Sequence, residues 1–228
     1  MRALKNDTTI ATGLLSLIAG ITDAFVYQLS AIFPANMTGN FVVFTVVISK
    51  GHVDAAFLKL VALLSFVLGI VIVYTILYQL KLIKNAITSI IILHASILVA
   101  LSLCFIFTLS LSIPVLIICS TVAMGIQGAF AEEIGISTPT LVLTGNITKL
   151  FSSETAIFYE KRGQDKVDQT KLPTRQLVVC LGYFAGAALS VLPKNRVSLI
   201  WLFVVLLWLI YYFKFFKKEN QTISLKPV

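Results

Sequence analysis

Asp23 lies within an apolar stretch, Gly20-Ile21-Thr22-Asp23-Ala24-Phe25. A carboxylate near the centre of a membrane helix costs roughly 2.5–3.5 kcal/mol on insertion scales, so it stays where it faces a partner or a wet cavity. The functional use is a site for a proton or cation, or an anchor for a polar solute. The plainer use is a hydrogen bond to a nearby helix break. Such a break follows at Pro34-Ala35-Asn36-Met37-Thr38-Gly39-Asn40. Asn36 and Thr38 can cap a new helix, Gly39 permits close backbone approach, and Asn40 adds a donor and an acceptor. A second break carries Gln127, Pro139 and Thr144-Gly145-Asn146. A helix start leaves free N–H groups and a positive dipole end, which suits anions, and broken membrane helices in transporters use such ends to hold solutes.

The candidate site is therefore Asp23, Asn36, Thr38, Gly39, Asn40, Gln127, Thr144, Gly145 and Asn146. His94, alone in an apolar run, reads as a satisfied interior histidine. Glu132 and Glu133 read as wet residues at a helix end, and Lys149 as a side chain snorkelling to the interface. Cys104, Cys119 and Cys180 have no zinc or disulfide spacing and read as small buried hydrophobes. No Gly-x-Ser-x-Gly, phosphate loop or His-Glu-x-x-His occurs, so neither an enzyme, a metal site nor a cofactor is expected.

The elements that hold these residues are membrane helices. The chain is 58% hydrophobic and 12% charged, about half the charge of a soluble domain. Several runs reach the ~20 residues that a spanning helix needs. The net charge of +8 sits in loops and tails. There it orients a chain in a bilayer, and no nucleic-acid partner is expected. Met1-Arg2-Ala3-Leu4-Lys5 before an apolar run imitates a signal peptide, but no Ala-x-Ala site follows. Helices are expected at 10–32, 35–50, 55–80, 86–109, 114–132, 141–159, 176–192 and 197–213. Six are long, and the second and sixth are shorter, opening at Thr-Gly-Asn. Trp201 and Tyr211-Tyr212 fall near the ends of the last, where an aromatic belt would hold them. The expected fold is an all-α polytopic membrane helix bundle.

Small residues recur every four positions: Ser16, Gly20 and Ala24; Thr121, Gly125 and Ala129; Gly182, Gly186 and Ser190. Such stripes let helices approach closely, and they predict that the first and fifth helices pack on each other at the centre. The first two stripes lie 105 positions apart, and Thr144 follows Thr38 by 106. Ordered matches of this kind point to duplication, with one repeat at 1–110 and another at 111–228. Gln127 then matches Thr22, and Gly128 matches Asp23, so the second repeat lacks the carboxylate. If the short helices dip, each half has three spans and the second copy is inverted. If they cross, each half has four and the copies are parallel. With the N-terminus inside, dipping puts fourteen Lys and Arg inside, and crossing puts thirteen inside. Either way the positive-inside rule places both termini and the loop at 160–175 in the cytoplasm.

Gly20-x-x-Asp23-Ala24, Asn36-Met37-Thr38-Gly39-Asn40, Met124-Gly125-Ile126-Gln127 and Thr144-Gly145 together resemble the YoaK-type family of uncharacterised bacterial membrane proteins. The resemblance covers most of the chain and implies a bacterial inner-membrane protein with about six spans and no assigned activity. The family tends to carry Asn after the glutamine and basic residues beyond it, where this chain has Gly128 and Glu132-Glu133. The expected function is a small secondary transporter or permease for a polar or ionic solute, a proton or cation included. The rival is a non-transporting membrane protein that binds lipid or partner proteins. Lipid is the expected surrounding, and the small-residue stripes leave room for a homo-oligomer.

Overall fold

The computed structural model describes residues 2–79, 86–134, 136, 140–141, 143–160 and 174–216. Pro139, the lysines at 81 and 84, most of the loop at 160–175 and the basic tail lie outside them. The described residues form eight α-helices and no strand: α1 (Arg2–Ser30), α2 (Met37–Ser49), α3 (Val53–Gln79), α4 (Ala86–Ile106), α5 (Ile113–Glu133), α6 (Leu143–Glu160), α7 (Thr174–Leu189) and α8 (Lys194–Tyr211). Among them, five are long and apolar enough to cross a bilayer: α1 from Thr9, α3, α4, α5 and α8. The sixth long helix expected, at 176–192, is the 16-residue α7. It rises about 24 Å, short of a ~30 Å hydrocarbon core.

Several hydroxyls inside these apolar helices are paired locally. Ser16 donates to Thr12 O at 2.8 Å and Thr22 to Ile18 O at 2.7 Å. Thr121 likewise donates to Ile117 O at 2.6 Å. Each hydroxyl is satisfied one turn back, so it sits in an apolar helix with little penalty.

The helices fall into two directions. Gly13 meets Val178, Gly20 meets Tyr183, and Gln28 donates to Ser190 O, so α1 and α7 run parallel. Ala62 and Ile117 share a buried cluster with Ile32, and farther along Tyr74 and Glu132 line one cavity, so α3 and α5 also run parallel. Gln127 donates to Leu15 O at 3.0 Å while Ile32 lies with Ile117 at the other end, so α1 and α5 are antiparallel. Phe25 packs edge-on against both Phe105 and Trp201, and Thr88 bonds Tyr212 at the far ends of α4 and α8. Thus α1, α4 and α7 point one way, and α3, α5 and α8 the other. The short helices α2 and α6 each join two helices of opposite direction.

Glycine sets the two tightest crossings. A Cβ at Gly20 would collide with the Tyr183 carbonyl on α7, and one at Gly186 with the Leu17 carbonyl on α1. A Cβ at Gly125 would collide with the Phe66 carbonyl on α3, and one at Gly69 with the Val122 carbonyl on α5. Backbone meets backbone at both places, so only glycine fits. The partner of the first stripe is therefore α7 and that of the second is α3, rather than each other.

Trp201 and Tyr212 are buried and not in an aromatic belt. The faces of α8 that carry them pack on α1 and α4, where Trp201 meets Phe25 and Tyr212 meets Thr88. The three cysteines are half-buried rather than core residues.

Candidate functional site

Asp23 is 1% exposed and both of its oxygens are engaged. Oδ1 accepts from the Ala35 amide at 2.5 Å, and Oδ2 accepts from the Tyr183 hydroxyl of α7. The first bond is possible because the chain doubles back. After α1 ends, Ala31 takes a left-handed φ of 54° and Pro34 follows. Ala35 then returns to the depth of Asp23, about 10 Å below the end of α1 at 1.5 Å per residue. The carboxylate thus ties the break to α1 and α7 together.

The break has its own scaffold. Asn36 caps α2 by accepting from Gly39 N at 3.1 Å, which satisfies an amide left free at a helix start. Asn40 is buried and clasps Phe33 twice, accepting from its amide at 3.0 Å and donating to its carbonyl at 2.6 Å. Lys59, from α3, donates to the Ala31 carbonyl at 2.7 Å. Tyr27 stacks on Phe33 with ring centroids 4.2 Å apart. In the second break Thr144 is exposed, Gly145 half-buried and Asn146 buried, the same order as Thr38, Gly39 and Asn40. There Gln127 donates to Thr140 Oγ1 at 3.3 Å as well as to Leu15 O.

Where Asp23 touches Ala35 and Tyr183, Gly128 faces Leu141 and Phe66. A Cβ at Gly128 would lie 3.1 Å from Leu141 Cδ1 and 4.0 Å from Phe66 Cζ. With no side chain at 128, a cavity of about 1200 Å³ opens beside it. Both breaks contribute to its wall: Asn36, Thr38 and Gly39 from one, Thr140, Leu141 and Thr144 from the other. Phe66 and Tyr74 of α3, Glu132 of α5 and Tyr183 complete the contacts that matter here. Asp23 stands behind Tyr183. Asn40, Gln127, Gly145 and Asn146 are not on the wall; Asn40 and Gln127 brace the breaks from behind it.

Residues 11–213 match the family model described as a protein of unknown function, DUF1275. The chain is also 32% identical over 202 residues to the UPF0700 transmembrane protein YoaK of Bacillus subtilis (strain 168), covering 86% of this chain and 88% of that one. The chain belongs to this family. No solved structure matches it.

In this DUF1275 protein several site-forming residues carry weak sequence signals. Tyr183 is one aromatic residue among many in apolar runs, and its role depends on Asp23, 160 positions away. Lys59 resembles an end-of-helix anchor but is buried. Glu132 is exposed, as expected, and it lines the cavity. His94 lies edge-on to Phe130 at 5.2 Å. It is buried, with the Gln127 side chain beside it. No group of three His, Cys, Asp or Glu gathers among the described residues.

Proposed function

We propose that this protein is a small secondary transporter for a polar or ionic solute, bound in the cavity between the two breaks. The observation that carries the reading is the convergence of both broken segments on one cavity of about 1200 Å³. Discontinuous helices meeting near mid-membrane are the usual architecture of a solute site in small repeat transporters.

The proposal includes six crossings, by α1, α3, α4, α5, α7 and α8, with α2 and α6 dipping in and returning. Helix direction supports this, since the six alternate in sequence only if α2 and α6 do not cross. The bond from Lys59 to Ala31 supports it independently. Had α2 crossed, the start of α3 would lie at the opposite end of α1, beyond the reach of any lysine. Three crossings per half make the repeat inverted. Its best support is the pairing of glycines: Gly20 with Tyr183 and Gly125 with Phe66, then Gly186 with Leu17 and Gly69 with Val122. Residues of α5 follow those of α1 by 105 in both pairs, and residues of α7 follow those of α3 by 117. The charge distribution favours cytoplasmic termini in a bacterial inner membrane.

In this scheme the cavity opens toward the C-terminal ends of α3 and α5, the cytoplasmic side. The corresponding space on the other side is closed by Asp23, Ala35 and Tyr183. Protonating Asp23 would remove an acceptor from this closure, which gives the carboxylate a coupling role. Purified protein in liposomes, screened for thermal shifts and counterflow across a metabolite set, tests the proposal. A soluble solute that both stabilises and exchanges supports it; stabilisation by lipids alone overturns it.

A further inference from the structure

We infer that the solute carries an ammonium group on an apolar body. This rests on the reading of the cavity as the solute site and adds the chemistry of its wall. The wall is mostly apolar, and among its described residues the one formal charge is the carboxylate of Glu132. No lysine or arginine is among them. Four aromatic rings, Phe33, Phe66, Tyr74 and Tyr183, also face the space.

Each class of solute meets this wall differently. A bare metal ion needs several oxygen ligands at short range, whereas this volume is wide and largely hydrocarbon-lined. An organic anion meets a like charge with no described cation to offset it. A neutral sugar finds few polar partners: Asn36 and three threonines spread over both breaks, and one tyrosine each on α3 and α7. An ammonium group finds the Glu132 carboxylate on the cavity wall, and ring faces attract cations through their quadrupole. The rest of such a molecule is held by the apolar wall. The starts of α2 and α6 add partial positive charge at the other side of the cavity. The Asn36 side chain takes one α2 amide and its carbonyl takes another, from Gly39 and Asn40. The ammonium group therefore carries the recognition, whether or not the same solute also bears a carboxylate, so amines and apolar amino acids share the chemistry.

Three probes with one phenyl skeleton separate the cases: phenethylamine, phenylalanine and 3-phenylpropionate. Binding is measured on the purified full chain in nanodiscs by calorimetry and by radioligand displacement. Saturable binding of one or both amine-bearing probes is expected, with none by 3-phenylpropionate. Glu132→Gln, at an exposed position, should weaken that binding at least tenfold while leaving the melting temperature unchanged. Two cavity-filling variants, Gly128→Leu and Thr144→Trp, should abolish it, and the second changes an exposed residue if the first folds poorly. Saturable binding of 3-phenylpropionate that Thr144→Trp abolishes overturns the amine assignment and leaves the cavity as a solute site. An unchanged affinity in Glu132→Gln overturns the assignment as well. If neither cavity-filling variant affects any probe, both the assignment and the solute cavity are overturned.

Discussion

Phe66 stands over Gly128 as Tyr183 stands over Asp23. Tyr183 donates its hydroxyl to Asp23 Oδ2, while Phe66 Cζ lies 4.0 Å from where a Gly128 Cβ would be. One crossing is thus sealed by a polar bond between helices, and the other by nothing but ring surface, beside an open cavity. The asymmetry is chemical, because the backbone contacts of the glycines around the two places are alike.

The sealed side makes the first prediction. Tyr183→Phe removes one partner of a buried carboxylate and should destabilise the protein by about 1–3 kcal/mol. Asp23→Asn retains an acceptor for the Ala35 amide and lowers the cost of holding the side chain in the bilayer. It should fold well and lose the pH dependence of solute-induced stabilisation. The two changes together should cost less than the sum of the single effects, because they share one bond. Melting curves and ligand thermal shifts across pH test this. A well-folded Asp23→Asn protein with the wild-type pH profile would reduce Asp23 to a brace for the break.

The close crossings make the second. Alanine at Gly20, Gly69, Gly125 or Gly186 drives a methyl group into a carbonyl of the facing helix. Overpacking of this kind costs about 1–3 kcal/mol. Alanine at Gly13 meets only a Val178 methyl at 3.0 Å, which can rotate away, so its effect should be smaller. Detergent-solubilised yield and melting temperature give the order. Equal tolerance at all five positions would mean that the helices do not approach as closely as described.

The third concerns the path of α2. Single cysteines at His52 and Ser110, in a cysteine-free background, should both react with an impermeant reagent in intact cells. A dipping α2 leaves both outside. A crossing α2 puts both inside, so protection of the pair would overturn the inverted arrangement.

Much of this was legible in the sequence for a physical reason. A carboxylate in an apolar run and a proline-led polar break are each costly in a bilayer, so Asp23 and the two breaks stand out from their surroundings. Helix partners were not legible in the same way. A stripe such as Ser16, Gly20 and Ala24 announces close approach but carries no label for the helix it meets, and that proved to be α7. Tyr183 and Lys59 do not stand out because each fits an ordinary pattern, an aromatic inside an apolar run for the first and a lysine near the start of one, as an interfacial anchor would be, for the second. Only their distances to Asp23 and Ala31 separate them from these patterns. Dipping and crossing stayed open because the positive-inside tally differs between them by a single lysine, Lys149. Helix direction, which composition does not encode, supports the proposed dipping path.

The fourth prediction transfers the seal from one half to the other. If the halves are equivalent, Gly128→Asp places a carboxylate where Asp23 has its counterpart, with Leu141 at the place of Ala35. Alone, that change puts an unpaired charge in a largely apolar space and crowds Leu141, whose Cδ1 is 3.1 Å from the new Cβ. It should destabilise the protein strongly, in the range of about 3–5 kcal/mol seen when a buried charge lacks its partner. Adding Phe66→Tyr supplies a hydroxyl in the place held by Tyr183, and Leu141→Ala makes the room that Ala35 leaves. The triple variant should then recover stability relative to Gly128→Asp, with a coupling of about 0.5–3 kcal/mol between positions 66 and 128. It should also lose solute binding, because the new side chains occupy the cavity. A stability cycle over the three substitutions, read by thermal melting, measures the coupling directly. Zero coupling between 66 and 128 would show that the two crossings are alike in backbone only, and would leave the inverted repeat without its chemical counterpart at this site.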